Sequence, residues 1–130
     1  MKNIYFALVV FFISQSFYTQ TINIPDSNFK NALNVLGIDT NGDDEIQVTE
    51  AEAVTNLNVS SNNIATLMGS EIFEYELNNS IINLTGIEYF VNLETLDISS
   101  NNIGELDVSA LTKLKTLLCE RNPIENLDLS

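Results

Sequence analysis

Asp39, Asn41, Asp43 and Glu50 stand at the first, third, fifth and twelfth positions of the stretch DTNGDDEIQVTE. Oxygen-bearing side chains at those intervals wrap around one point. That is the chemistry of a calcium ion, which takes roughly six to eight oxygens on a flexible frame. Glu45, at the seventh position, would give its backbone carbonyl, and Gln47, at the ninth, would hold a water. Glu50 would bind through both carboxylate oxygens, while Ile46 at the eighth position would anchor the loop in a core. Magnesium suits the set less well, because it resists all-protein cages. The sixth position, where a left-handed backbone favours glycine, is Asp44. Aspartate visits that region more readily than most residues, so the loop is weakened but keeps the affinity expected of an extracellular module. The same residues also fit a plainer reading, an acidic turn held by side-chain-to-backbone hydrogen bonds without metal.

Elements on both sides must position this loop. Before it, IPDSNFKNALNVLG reads as a helix: Pro25 suits the first turn, Phe29, Leu33 and Leu36 fall at helical spacing, and Gly37 ends it. After it, Thr49-Glu50-Ala51-Glu52 reads as a capping box that starts a short helix running to about Thr55. Helix, twelve-residue loop and helix make the EF-hand plan.

From Leu57 onward the chain is periodic. LNVSSNNIATL (57–67), LDISSNNIGEL (96–106) and LLCERNPIENL (117–127) share one form. Leu96/Leu117, Ile98/Cys119, Asn101/Asn122, Ile103/Ile124 and Leu106/Leu127 all recur at the same interval. A period of about 20–29 residues with this spacing is the leucine-rich-repeat signature, in which each unit supplies a short strand and stacks on its neighbours. The predicted fold is therefore an α/β solenoid, with short parallel strands and an α-helical N-terminal cap. Leu96 and Ile98 would point inward along a strand. Asn101 and Asn122 would turn inward to satisfy backbone groups at the turn. Cys119, in the place of Val59 and Ile98, reads as a buried, inert thiol. The outward row is Asn58 and Ser60, then Thr95, Asp97 and Ser99, then Thr116, Leu118 and Glu120. Any one of these is ordinary solvated surface; stacked side by side they form a candidate partner-binding face.

The segment 68–83 breaks the period. Asn62/Asn79, Ile64/Ile81, Leu67/Leu84 and Gly69/Gly86 match at a shorter interval than the later units do. Either an inserted loop, which we favour, or a degenerate repeat with Ile72, Phe73, Tyr75 and Leu77 inward accounts for it. The organisation expected is thus a leader over 1–20, a helical EF-hand-like cap over 21–55 and repeats over 56–130. The last unit carries no polar cap, so the chain reads as the N-terminal piece of a longer protein.

The leader places the protein outside the cytoplasm. Lys2 is followed by an apolar run from Ile4 to Ile13, too short to span a bilayer, and then by a polar stretch, the pattern of a secretory signal peptide. No transmembrane segment is expected after its removal. Four basic residues then face eighteen acids, a net charge of −14, which repels nucleic acid and favours cations. There is no histidine and a single cysteine, which removes Ser-His-Asp, Cys-His and zinc-hydrolase chemistry. Glu74 and Glu76 are the nearest thing to a carboxylate pair. Two apart on a strand, they would point the same way, with no cleft implied.

With cap and repeats in this order, IPDSNFKNAL, IDTNGDDEIQVTEAEAVTNLNVS and LETLDISSNNIGELDVSALTKLKTLLCERNPIENLDLS together resemble secreted bacterial leucine-rich-repeat proteins of the internalin-like kind. The resemblance implies a non-catalytic module, secreted or at the cell surface, that binds a protein or glycan. The alternative is the non-catalytic part of a larger secreted enzyme whose catalytic domain lies beyond Ser130.

Overall fold

The computed structural model describes residues 20–69 and 80–130. The leader up to residue 19, the pair Glu74/Glu76 and the residues Ile72 to Leu77 that a degenerate repeat would turn inward lie outside the described residues.

The cap is built by local rules. Helix α1 runs Ser27–Val35, with Asp26 as its N-cap accepting from the backbone N–H groups of Asn28 and Phe29. Pro25 therefore precedes the cap and lies outside the first turn. At the other end Gly37 takes a left-handed φ of 73°. The N–H of Ile38 then reaches the Leu33 carbonyl (3.0 Å) and that of Gly37 the Asn34 carbonyl (2.9 Å), a Schellman ending. Phe29, Ala32 and Leu33 form the buried face. Helix α2, Val48–Glu52, is a single turn that stops short of Thr55. Its N-cap is Gln47, two positions before the expected Thr49, and Glu50 occupies the N3 position. Residues 20–22 are tied to the end of the loop by antiparallel contacts: Thr21 bridges Gln47, Ile22 N–H donates to the Ile46 carbonyl and Val48 N–H to the Gln20 carbonyl.

Among the described residues five short strands follow: β1 (Asn56–Asn58), β2 (Thr95–Asp97), β3 (Glu105–Asp107), β4 (Thr116–Leu118) and β5 (Asn126–Asp128). They form two parallel sheets, β1-β2-β4 and β3-β5. Leu57, Leu96 and Leu117 sit in register in the first, and Leu106 and Leu127 in the second. Each repeat unit from Thr95 onward thus contributes two strands, where the sequence pattern implied one. The two sheets enclose Leu96, Ile98, Ile103 and Leu106, with Phe90, Leu93 and Leu111 behind them, all buried. The chain is a small α/β unit with parallel strands.

β1 pairs directly with β2, Asn56 opposite Thr95, across a long excursion of the chain. The first part of that excursion is helix α3, Ser61–Met68, over a stretch that matches the repeat pattern. Leu67 is 54 % exposed on it, while Ile81 and Leu84 are buried. The amide oxygen of Asn101 accepts the N–H of Ile81, and that of Asn122 accepts the N–H of Ile103. Ile81 therefore does for the first unit what Ile103 does for the second. Helix α3 thus starts at Ser61, before the irregular segment expected over 68–83, and Asn101 takes up the pattern again at Ile81. The cap meets this resumption at Gly86 (φ 106°), where a Cβ would come within 2.8 Å of Ile24 and 3.1 Å of Ile22; only glycine fits.

Candidate metal loop and strand face

The loop is a set of nested turns. Asp39 accepts from the N–H of Gly42 through Oδ1 (2.7 Å) and from that of Asp44 through Oδ2 (2.9 Å). Asn41 Oδ1 accepts from Asp43 N–H at 2.9 Å, and Asp43 Oδ1 from Glu45 N–H at 3.0 Å. Each short polar side chain closes the turn that follows it, as Asn and Asp do when they compete with the backbone for its donors. Two residues take a left-handed φ, Gly42 at 75° and Asp44 at 61°. The backbone at the sixth position thus adopts the conformation that usually calls for glycine, with aspartate in place. Ile46 is fully buried, as its position predicted.

Around these turns the amides and carboxylates are cross-linked. Gln47 donates its amide to Asp43 (2.9 Å to Oδ2) and accepts from the Asn41 amide (3.0 Å). Lys30 on α1 reaches the Glu45 carboxylate at 2.8 Å, a partly exposed pair that adds little stability. The Glu45 N–H, with help from the Gln47 amide, holds the Asp43 carboxyl below the usual aspartate range.

Glu50, expected to bind a cation through both oxygens, has donors on both. Its Oε1 accepts from the N–H and hydroxyl of Thr40, each at 2.7 Å, and its Oε2 from Gln47 N–H at 3.0 Å. Burial pushes this carboxyl up, but the Gln47 and Thr40 donors outweigh burial and leave it lowered. Among the described residues no three carboxylate or thiol side chains gather into a metal-holding group. The loop is therefore a run of oxygen-bearing side chains whose carboxylates are engaged by N–H and hydroxyl donors.

The predicted strand face divides. Asn58, Asp97 and Leu118 lie side by side in register, as do Thr95 and Thr116. Asn58, Thr116, Leu118 and Glu120 are exposed, and Thr95, Asp97 and Ser99 half-buried. Ser60 departs from the row: it is 6 % exposed and caps α3, accepting from Asn63 N–H. The physical reason is the turn into that helix, which draws its hydroxyl in, where Asn58 Oδ1 also accepts from it. Asn56, exposed and in register with Thr95 and Thr116, belongs to the face and was missed. Only its place two positions before Asn58 could have marked it. Asp97 holds the Ser99 N–H (2.9 Å) just as Asn58 holds that of Ser60 (3.0 Å). Part of this row is therefore turn structure as well as surface. Cys119, expected to be buried, is half-buried because the last unit has no neighbour stacked on it among the described residues.

Two further features escaped the sequence. Asp26, 8 % exposed, links the cap to the resumed repeat, its Oδ2 accepting from the N–H of Ile82 (2.8 Å) and Asn83 (2.9 Å). A groove of about 890 Å³ runs along β3 on the second sheet, rimmed by Glu88, Glu105, Asp107 and Asp128.

No family model and no curated protein matches the chain. Solved structures do. The CBM51-2 and INT domains of ZmpB from Clostridium perfringens, solved both with GlcNAc in complex and without, match at 28 % identity and a TM-score of 0.53, over 76 % of this chain and 17 % of that one. An internalin of Listeria monocytogenes matches at 21 % identity and a TM-score of 0.52, over 80 % of this chain and 29 % of that one. This chain thus spans less than a third of each of these proteins and shares its fold with part of each.

Proposed function

We propose that this chain is the capped beginning of a leucine-rich-repeat solenoid, acting outside the cell or at its surface as a non-catalytic, adhesion-type module for a protein or glycan ligand. The observation that carries this reading is the row Asn58, Asp97 and Leu118, aligned by in-register parallel strands. Stacked units turn single side chains from separate repeats into one continuous face. An exposed leucine flanked by acids and amides suits a ligand with both an apolar patch and donors. The likeness to an internalin supports the fold, and GlcNAc in one similar structure keeps a glycan among the ligand classes. The test is binding of the full chain to a glycan array and to immobilised matrix proteins, against the triple variant Asp97→Asn, Leu118→Ser, Glu120→Gln. Asparagine at position 97 preserves the turn, since Asn58 makes the same bond in the unit before. Undiminished binding by the triple variant removes this face from the assignment.

In the same proposal the cap carries a structural calcium ion, held by Asp39, Asn41, Asp43, Gln47 and Glu50 and by the Glu45 carbonyl. The donor set and the left-handed Asp44 support it. A cation has to compete with the N–H donors that now occupy the carboxylates. Calcium at about one hundred times its Kd would add about 2.7 kcal/mol of stability. Equal melting temperatures by calorimetry, with calcium and with excess chelator, would leave the loop as a metal-free turn.

A second reading is favoured by proportion. The chain spans 17 % of the ZmpB chain, so its fold serves there as one piece of a larger protein. A non-catalytic part of a larger secreted enzyme is the alternative, and the sequence beyond Ser130 decides it.

A further inference from the structure

We propose that the peptide between Asn41 and Gly42 is a self-modification site, chemically closed while the loop is folded and open when it loosens. The reaction is intramolecular. The Gly42 backbone nitrogen attacks Cγ of Asn41, a new C–N bond forms, and the side-chain nitrogen leaves as ammonia. The resulting five-membered succinimide is opened by water, giving an aspartyl or isoaspartyl residue at position 41. Glycine is the residue that most favours this step, because it has no Cβ to block the approach and the widest backbone freedom. Both residues are exposed, so water reaches them.

The folded loop ties down each reacting group. Gly42 N–H is donated to Asp39 Oδ1 at 2.7 Å; the proton that must leave to make the nitrogen nucleophilic is thus held against a carboxylate. The carboxamide of Asn41 is fixed at both ends. Its oxygen accepts from Asp43 N–H (2.9 Å), and its nitrogen donates to Gln47 Oε1 (3.0 Å) and Asp43 Oδ2 (3.2 Å). Turning Cγ toward Gly42 breaks these bonds together, so attack requires local opening, and its rate follows the open fraction.

The modification does not reverse, and it damages the loop that prevents it. An aspartyl product removes the amide donor to Gln47 and Asp43 and sets a further negative charge between Asp39 and Asp43. An isoaspartyl product lengthens the backbone by one atom before every later position up to Glu50. A loop opened for long enough therefore stays open, which makes position 41 a record of loop opening. No step in this sequence requires a bound metal.

The test is peptide mapping by mass spectrometry of the full chain incubated at neutral pH, once in native buffer and once in urea, following deamidation at Asn41 and at the exposed reference Asn62. The expected result is that Asn41 converts well before Asn62 in urea, and at least about tenfold more slowly in native buffer than in urea. Asp39→Asn, which weakens the acceptor for Gly42 N–H, should raise the native rate toward the urea rate. Equal Asn41 rates for the wild-type chain in native buffer and in urea would overturn the proposal. So would a urea rate no faster than that of Asn62, and neither comparison needs a variant.

Discussion

Asp26 and Ile82, far apart in sequence, are joined at 2.8 Å, the aspartate Oδ2 accepting the isoleucine N–H. The other oxygen of the same carboxylate caps α1 through Asn28 and Phe29. One buried side chain thus ends the exposed backbone of the cap helix and fixes where the repeat resumes after its excursion. Asn28 adds a parallel link, its amide donating to the Ser80 carbonyl at 3.1 Å. Truncating Asp26 to alanine orphans four backbone donors at once. Losing an N-cap costs about 1 kcal/mol, and each buried donor left unpaired costs about 1–3 kcal/mol. Asp26→Ala should lower stability by about 3 kcal/mol, seen as a lower urea midpoint at unchanged slope. Asp26→Asn should recover only part, because its amide end presents donors to donors.

The asparagine ladder makes a second prediction. Asn101 donates to the carbonyls of Val59 and Ile98, both at 3.0 Å, and accepts from Ile81 N–H, so it bonds to its own unit and to the one before. Asn122 repeats the pattern with Ile98, Cys119 and Ile103, in a more open setting. Asn101→Ala should cost about 2–4 kcal/mol. Asn101→Asp should cost more, since a carboxylate would face two carbonyls it cannot donate to. The same changes at Asn122 should cost less than half as much, because water reaches the groups left unpaired. Thermal melts of the four variants check the ordering.

Acid should loosen the cap before the repeats. The Asp43 and Glu50 carboxyls are both lowered in the folded state, from ordinary values of 3.8 and 4.5. A depressed folded value means that the stabilisation is fully present above the unfolded value and is lost as pH falls through the folded one. Melting temperature should therefore be flat from neutral pH down to roughly pH 5 and fall below the ordinary carboxylate range. Glu50→Gln should start lower at neutral pH and show a shallower acid fall. An equally steep fall in the variant would clear Glu50 and leave Asp43 as the next carboxyl to replace, with Glu94 beside Lys115 after it.

Much of this was legible in spacing alone, for a physical reason. Loop positions Asp39 to Glu50 and repeat positions Leu96 to Leu127 are set by local geometry, and local geometry writes itself at fixed intervals. The clamp at Asp26 was illegible because its partners at Ile82 and Asn83 are distant backbone groups, which carry no side-chain signature. The second sheet was illegible because Glu105-Leu106-Asp107 buries a single leucine and Asn126-Leu127-Asp128 is exposed throughout, so neither shows the apolar alternation of a strand. The excursion was the instructive case. Residues 61–68 and the stretch resuming at Ile81 both fit the pattern, and only one of them can pack beside Asn101. Ser60 caps α3 over the first of them, and the N–H that Asn101 holds is that of Ile81. The short-interval matches, Ile64 with Ile81 and Leu67 with Leu84, were visible, but which copy would be buried is settled by packing against the next unit.

Asp44 is where the loop can be tuned. Its φ of 61° places a side chain in a region that costs an ordinary residue about 1–2 kcal/mol. Its N–H is donated to Asp39 at 2.9 Å, a bond any residue at 44 can make. Asp44→Gly relieves the strain but adds freedom to the unfolded chain, worth roughly 0.5–1 kcal/mol the other way. It also removes one negative charge from a crowded loop. The net expectation is a change within about 1 kcal/mol, on the stabilising side. Asp44→Val has the same charge benefit and a branched side chain ill-suited to that region, and should destabilise by about 1–2 kcal/mol. Urea unfolding and exchange protection at the Gly42 and residue-44 amides would separate the two. If valine proved as stable as glycine, the left-handed turn at position 44 would not be the conformation the loop holds in solution.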